Sequence, residues 1–468
     1  MHKIIQMKSI FRTKSIESII AGAKKKSLKK TLGAFDLVLL GVGCTIGTGI
    51  FVLTGIAAAE HAGPAISISY FLAGLACMFA GLAYAELAAM VPVAGSSYTY
   101  SYAVLGEFVA WLVAWGLILE YTVGASTVAA GWSGYFVGIL KSGGIELPQY
   151  LTSVPANGGL INLPAVLIAL FVGSLLMRGM KESVIINRIL VGVKLLVIFA
   201  FIIIAAPHIK MENYADFMPF GWHGVAVGAA TIFFAYVGFD AVATAAEESK
   251  NPNRDLPIGI IGSLTICTIL YIAVALALTG IVHYTDLNNA EPMAHALRVN
   301  GSNLGSALIG TGAIAGMVAV LLVLMYGQSR IFFVMSRDGL IPAVFSKLHK
   351  KFQTPHISCM IVTAAVALTS GFTPIQTMGH MTSLGTLFAF MVVAVAVLVL
   401  RVKKPNLERP FRCPWVFVVA PVAIVSCGYL IFTLFSSTGK AFMIWIAIST
   451  VVYFTYSYHK SPMNVKGK

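Results

Sequence analysis

Residues 41–51 read GVGCTIGTGIF, placing four glycines (Gly41, Gly43, Gly47, Gly49) and two threonines (Thr45, Thr48) inside an apolar run from near Ala34 to near Ala59. Glycine at this density is poor material for an unbroken helix. In lipid, every backbone N–H or C=O freed by a break is costly unless protein or a bound ligand takes it up. A broken apolar segment is therefore a candidate binding site. Freed N–H groups at the positive end of a half-helix suit a carboxylate, and freed carbonyls suit an ammonium or a cation. A second interrupted run, VAVGAATIFFAYVGFDAVATAAEE, carries Tyr236, Gly238 and Asp240 at its centre. A zwitterionic amino acid presents both charges and suits the pair. Glycines also let helices pack closely, but two interruptions in corresponding places favour a site.

Two ionisable residues lie deep in other apolar runs: Lys194 in INRILVGVKLLVIFAF and Glu120 in WGLILEYTVGAS. Lys194 is about ten residues into its segment, too deep for easy snorkelling. A dry site penalises its charge, so it can gain or lose a proton. Proton coupling is favoured over a fixed structural cation. Glu120 relays protons or holds helix ends, with nothing to choose between them. Asp240 is expected to cap the half-helix after the second break. Glu86, Glu247 and Glu248 lie nearer segment ends. They are read as solvated charge, or as inner ion pairs with Arg254, Arg330 and Arg337. Tyr98, Tyr100 and Tyr102 alternate before the third segment, where anchoring at the membrane interface is expected.

The elements that would position these residues follow from composition. Of 468 residues 58% are hydrophobic and 11% charged, against about 25% charged in a soluble domain, and mean hydropathy is +0.86. An all-α polytopic membrane protein is the expectation. The net charge of +14 does not indicate nucleic acid, because the basic residues sit in short segments between apolar runs. Runs of about 20 residues predict twelve transmembrane helices. They lie near 34–59, 64–90, 107–139, 161–178, 184–206, 222–246, 256–281, 302–328, 356–373, 380–400, 415–436 and 440–457. The third and eighth are expected to run on past the bilayer. An amphipathic surface helix is expected around Ile10–Ala23.

Of the 32 Lys and Arg residues, only Lys141, Lys210, Arg298 and Lys440 fall in the loops of one side, and Lys194 falls inside the fifth segment. The remainder lie in segments on the other side, which places both termini in the cytoplasm. The broken segments are five spans apart. An odd repeat must enter the membrane inverted, and breaks at matching positions of two inverted halves point to a midplane site.

The six cysteines form no CxxC pair, so neither a disulfide framework nor a metal site is suggested. No cofactor is expected. The basic, polar first 33 residues do not read as a secretory signal. HExxH, GxSxG and GxxxxGK[ST] patterns are absent, which argues against an enzyme or a nucleotide-driven pump. His61, His208, His223, His283 and His380 read as lying in or near loops. A channel would need a continuous polar pore, for which isolated deep charges are insufficient.

Five stretches carry a resemblance: GAFDLVLLGVGCTIGTGIFVLTG (33–55), EHAGPA (60–65), VPVAGSSYTYSYAVLGE (91–107), FFAYVGFDAVATAAEESKNPNRDLPIGI (233–260) and YGQSRIFFVMSRDGLIP (326–342). With them the chain resembles the amino acid/polyamine/organocation superfamily, and more closely bacterial members of its cationic amino acid transporter branch. The resemblance implies a LeuT-type five-plus-five inverted repeat. That gives a cytoplasmic tail (1–33), a first repeat (34–206), a second (222–400), two further helices (415–457) and a short tail (458–468). It also implies amino acid transport in the cell membrane, commonly with protons.

Carried over by position, the resemblance puts the substrate carboxylate on the amides of Thr48 and Gly49, with Thr45 and Gly47 lining the pocket. The ammonium would meet carbonyls of the first break and of Phe234, Ala235 and Val237. The Phe234 ring would close the pocket from outside, and Leu324 and Met325 would line the side-chain end. A Cβ at 47 or 49 would obstruct the backbone approach, so alanine at either is expected to abolish uptake without preventing insertion. Lys194 would stand where sodium-coupled relatives of the fold bind an ion. Apolar and small residues near the pocket favour alanine, serine or threonine. Arginine or lysine is the runner-up, and an amino acid sensor of the same fold is the other alternative. Protein partners and oligomeric state are not legible.

Overall fold

The computed structural model describes residues 10–16, 19, 30–93, 95–179, 184–352 and 354–465. Among these the chain is helical, with no strands and two isolated bridges, Leu32 with Ser249 and Thr152 with Asn162. The surface helix expected around Ile10–Ala23 falls partly outside the described residues; of those described, 12–15 are non-helical and 16 and 19 are helical.

Chain order runs α1 (Ala34–Thr45), α2 (Ile66–Met90), α3 (Ser96–Val104), α4 (Glu107–Ser142), α5 (Leu163–Met177), α6 (Val184–Ala205) and α7 (Gly221–Ile232). It continues with α8 (Pro252–Ile281), α9 (Pro292–Val299), α10 (Asn303–Arg337), α11 (His356–Phe372), α12 (Ile375–Lys403), α13 (Val416–Leu434) and α14 (Lys440–Val452). Between α1 and α2 lie two π-helical turns, Gly49–Leu53 and Ala58–Ala62, flanking the short helix Thr54–Ala57. Among the described residues eight helical runs are long and apolar enough to cross a membrane, and α1, α5 and α11 are shorter apolar helices.

Local sequence accounts for the ends. The Asp36 carboxylate accepts the Gly33 N–H at 3.0 Å and starts α1. Asn162 accepts the Ala165 N–H at 3.3 Å ahead of Pro164, starting α5, as proline at the first turn loses no helical bond. Gly63, at φ +59°, and Pro64 turn the chain into α2. α10 runs on to Arg337, nine residues past the apolar segment, as expected of it, and α12 begins at Ile375 rather than 380.

α4 is the central post, packed along α10 on one side and α12 on another, while α8 lies against α1 and α2. These helices carry small residues where backbones approach, as interfaces in lipid favour: a Cβ on Gly41 would fall 2.5 Å from Ser263 Oγ of α8.

At one end the terminal segments are tied together. Glu107, fully buried, accepts from Arg12 Nη2 (2.8 Å), Tyr102 (2.8 Å), Tyr453 (3.1 Å) and Ser461 (2.6 Å). Lys14 pairs with Asp338 at 3.0 Å, and Asp338 also accepts from Tyr98 at 2.9 Å. Tyr98, Tyr100 and Tyr102 are buried, which corrects the expectation that they anchor at an interface. Burial and then the Asp338 charge push the Tyr98 phenol well above its ordinary range.

Glu86 corrects a second expectation. It is wholly buried, held by Arg401 (2.6 Å), Arg409 (3.1 Å) and the Cys413 N–H (2.8 Å) rather than solvated or paired with Arg254, Arg330 or Arg337. A buried carboxylate needs such partners, since removing one strands the other charge.

Candidate functional site

α1 ends because Ile46 leaves helical geometry, at φ −75° and ψ 103°. The chain crosses Gly47 and Thr48 and resumes helix at Gly49. α7 passes into a 3-10 turn over Phe233–Tyr236, and Val237 is extended at φ −61° and ψ 129°. Gly238 takes φ +118°, a conformation that favours glycine. After it come the short helix Ala241–Thr244 and a 3-10 turn, Ala246–Glu248.

The two unwound stretches face each other backbone to backbone. A Cβ on Gly49 would lie 2.4 Å from Ala235 Cα and 2.9 Å from Ala235 N. One on Gly238 would lie 2.9 Å from the Cys44 carbonyl carbon. The Tyr271 hydroxyl of α8 sits between them, 3.0 Å from Thr45 O and 2.9 Å from Ala235 O. One phenolic proton thus serves a carbonyl of each stretch, and each carbonyl keeps a second lone pair.

The predicted pocket residues separate into two groups. Thr45 and Thr48 are buried, but their hydroxyls have protein partners: Thr45 Oγ1 donates to Gly41 O (2.7 Å) and Thr48 Oγ1 to Met317 Sδ (3.2 Å). Their backbones remain at the break. The amides of Thr48 and Gly49 fall at the start of the resumed helix, where the first donors have no intrahelical partner. Phe234 and Leu324 converge on Gly124 of α4, whose Cβ would lie 3.8 Å from the Phe234 ring and 3.7 Å from Leu324 Cδ1. Ala235 stands against Gly49 as described. Val237 donates its N–H to Phe234 O at 3.1 Å, and Met325 is buried on α10. Gly47 faces Val320 of α10, 3.3 Å from a Cβ placed there, so its surroundings are looser than those of Gly49.

Lys194 is 1% exposed, and its Nζ donates to Gly43 O at 2.6 Å. A buried cation thus holds a carbonyl of the last turn of α1, where the helix dipole is negative. Glu120 is wholly buried and both carboxylate oxygens lack a hydrogen-bond partner among the described residues. It lies against Gly385 of α12. Asp240 stands at the head of Ala241–Thr244 without the expected capping bond. The one-turn helix that follows carries its own amides in 3-10 bonds, and the carboxylate instead meets the Tyr121 hydroxyl at 3.5 Å.

Sequence reasoning missed Tyr271, Gly124, Met317, Val320 and Thr382, whose Cγ2 is 3.3 Å from a Cβ on Gly124. It also misplaced His380, which lies buried within α12 rather than in or near a loop.

Above Gly131 and Val52 a cavity of about 560 Å³ opens, lined by Glu60, Asn162, Asn288, Asn289 and Gln376 among others. Gly131 abuts Thr48, with a Cβ there 2.4 Å from Thr48 Cγ2, so the cavity floor adjoins the first break.

Apolar helical runs, two facing breaks and a buried lysine reaching one of them describe a multi-pass membrane transport protein. Residues 32–457 match the amino acid permease family, and the chain belongs to it, as a bacterial member of the cationic amino acid transporter branch of the amino acid/polyamine/organocation superfamily. It is 46% identical over 460 residues to the methylthioribose transporter of Bacillus subtilis, covering 98% of this chain and 100% of that one. It is 47% identical over 462 residues to the branched-chain amino acid permease BcaP of the same organism, covering 97% and 99%. Identity to the vacuolar cationic amino acid transporter 4 of Arabidopsis thaliana is 39% over 412 residues, covering 86% of this chain and 68% of that one. These relatives are carriers rather than enzymes.

Proposed function

We propose that the protein is a secondary active transporter that takes up small neutral L-amino acids with protons by alternating access. The single observation that carries this reading is the facing pair of breaks, with Gly49 against Ala235 and Tyr271 bridging their carbonyls. On this reading the chain crosses the cell membrane twelve times with both termini in the cytoplasm. Residues 34–206 and 222–400 form inverted five-helix repeats, and 415–457 adds two helices. The Thr48 and Gly49 amides hold the carboxylate. Carbonyls of the first break and of Phe234, Ala235 and Val237 hold the ammonium. Gly47, Thr45, Leu324 and Met325 complete the wall, and Lys194 carries the coupling proton. The apolar meeting of Phe234, Leu324 and Gly124 supports a neutral side chain. Alanine, serine and threonine come first, and the branched-chain relative makes isoleucine and valine the next to test.

A second reading, a cationic amino acid permease, is favoured by Glu120, a buried carboxylate with no hydrogen-bond partner among the described residues. An arginine or lysine side chain would supply the missing cation. A thermal-shift panel of the twenty amino acids and methylthioribose on purified protein separates these readings. Stabilisation by alanine, serine or threonine supports the first, and stabilisation by arginine or lysine alone supports the second. Uptake into sodium-free proteoliposomes with acid outside is expected to exceed uptake at equal pH. Strict sodium dependence would overturn proton coupling, and binding without uptake would indicate a sensor.

A further inference from the structure

His380 lies one helical turn into α12, 7% exposed, in a protein whose transport reading assigns it nothing. Both ring nitrogens meet hydroxyls from other elements: Nε2 is 3.1 Å from Thr231 Oγ1 of α7, and Nδ1 is 3.3 Å from Ser437 Oγ, in the π turn between α13 and α14. Ser437 Oγ also donates to Leu434 O at 2.9 Å, which commits its one hydrogen. Ser437 must therefore accept from Nδ1–H, and in the neutral ring Nε2 accepts from the Thr231 hydroxyl. A proton arriving on Nε2 needs only that the Thr231 hydroxyl rotate from donating to accepting. No heavy atom has to move. Thr231 is three residues before Phe234, on the half-helix that leads into the second break.

The cavity lies about one helical turn along α12 from the ring. Gln376, one turn earlier on α12, lines the large cavity. Its amide donates to Glu60 Oε2 at 2.6 Å and lies 3.4 Å from His61 Nε2. Glu60 and His61 are the charged and titratable groups nearest on the cavity side. From α7 the titratable group is His223, eight residues before Thr231 and about 12 Å along the axis. From α4 it is Glu120, which lies against Gly385, a further turn and more along α12. From α2 it is Glu86, closed by Arg401 and Arg409. From α14 it is Lys440, three residues after Ser437, and α13 contributes no charged residue.

We propose that His380 is a second protonatable positioning residue of the transport cycle, distinct from Lys194, linking α7 to α12 beside the cavity. While the contact is closed it ties the two helices through Thr231, and the neutral ring is the form suited to that dry place. The imidazolium is costly in the dry contact and is favoured once that contact opens to cavity water. Acid on the cavity side therefore favours the conformation in which α7 and α12 part. The proton comes from cavity water to Nε2 and returns to it when the contact closes.

This rests on the transport reading, and the test separates the two. Uptake of a labelled mixture of the twenty amino acids is measured in proteoliposomes from about pH 4 to pH 8, a window that includes the ordinary histidine range and extends below it, with equal pH on both sides. Wild type is expected to show a titration step. His380→Gln keeps the hydrogen bonds but cannot charge, and is expected to lose that step while keeping uptake at pH 8 within about two-fold. Thr231→Val keeps the histidine but removes its Nε2 partner, and is expected to move the midpoint by at least about half a pH unit. A wild type with uptake but no step overturns the proposal, as does a step unchanged in either variant. Absence of uptake by wild type at every pH would fail the transport reading itself.

Discussion

The two unwound stretches are built from opposite materials. The first breaks on small residues and resumes at once, so that helical turns run from Gly49 to Ala62. The second follows a complete helix, α7, breaks on the positive-φ Gly238, and regains the short helix Ala241–Thr244 and a 3-10 turn, Ala246–Glu248. The first therefore offers the amide end of a helix, and the second offers mainly the carbonyl end of one. The macrodipole makes the former attractive to anions and the latter to cations. What the contrast teaches is that helix polarity alone supplies one end suited to an anion and one suited to a cation, so the proposed carboxylate and ammonium sites would need no charged side chain in contact with either.

Four substitutions probe that contrast, the most damaging first. Gly49→Ala drives a Cβ into Ala235 backbone, which cannot swing aside as a side chain would. It is expected to abolish both uptake and thermal stabilisation by substrate, with the protein still found in the membrane fraction. Lys194→Ala leaves Gly43 O without its buried donor. It is expected to lower pH-driven accumulation at least about tenfold while leaving exchange at equal pH measurable; a pH-driven accumulation unchanged from wild type would remove Lys194 from the coupling role. Tyr271→Phe takes the shared hydroxyl from both stretches, a loss of about 1 kcal/mol, seen as substrate binding weakened about five-fold. Gly47→Ala meets only the Val320 side chain, and a few-fold loss of affinity is expected. Damage as severe as that of Gly49→Ala would mean that substrate, rather than protein packing, fills the space at Gly47, as the sequence reading has it.

Legibility in the sequence followed the range of each interaction. Apolar runs and glycine clusters are local signals: the predicted segments fall on helical stretches, broken in the first and sixth, and eight helical runs among the described residues are long and apolar enough to cross a membrane. The eighth segment runs on as helix through RIFFVMSR to Arg337, as expected, whereas α12 starts at Ile375, ahead of its apolar run. Contacts distant in sequence were not legible. Glu86 meets Arg401 and Arg409, 315 and 323 residues away, and nothing near Glu86 announces them. Tyr271 is a lone tyrosine in an apolar run, with no periodicity to mark its hydroxyl as a bridge. His380 sits in GHMTS, a polar patch that reads as the edge of the tenth segment, in or near a loop; it lies in the first turns of α12, where its hydroxyls and ring bond to α7, to the π turn after α13 and to their own helix.

The cluster around Glu107 has a practical consequence for anyone attaching a fluorescent reporter or purification handle. Arg12 from the leading segment and Ser461 from the trailing one reach the same carboxylate, so the two ends of the polypeptide are not independent attachment points. Trimming through residue 16 would strip Arg12 and Lys14 and unseat the trailing segment as well. A graft that leaves residues 10–16 and 457–463 intact should spare the carboxylate's partners.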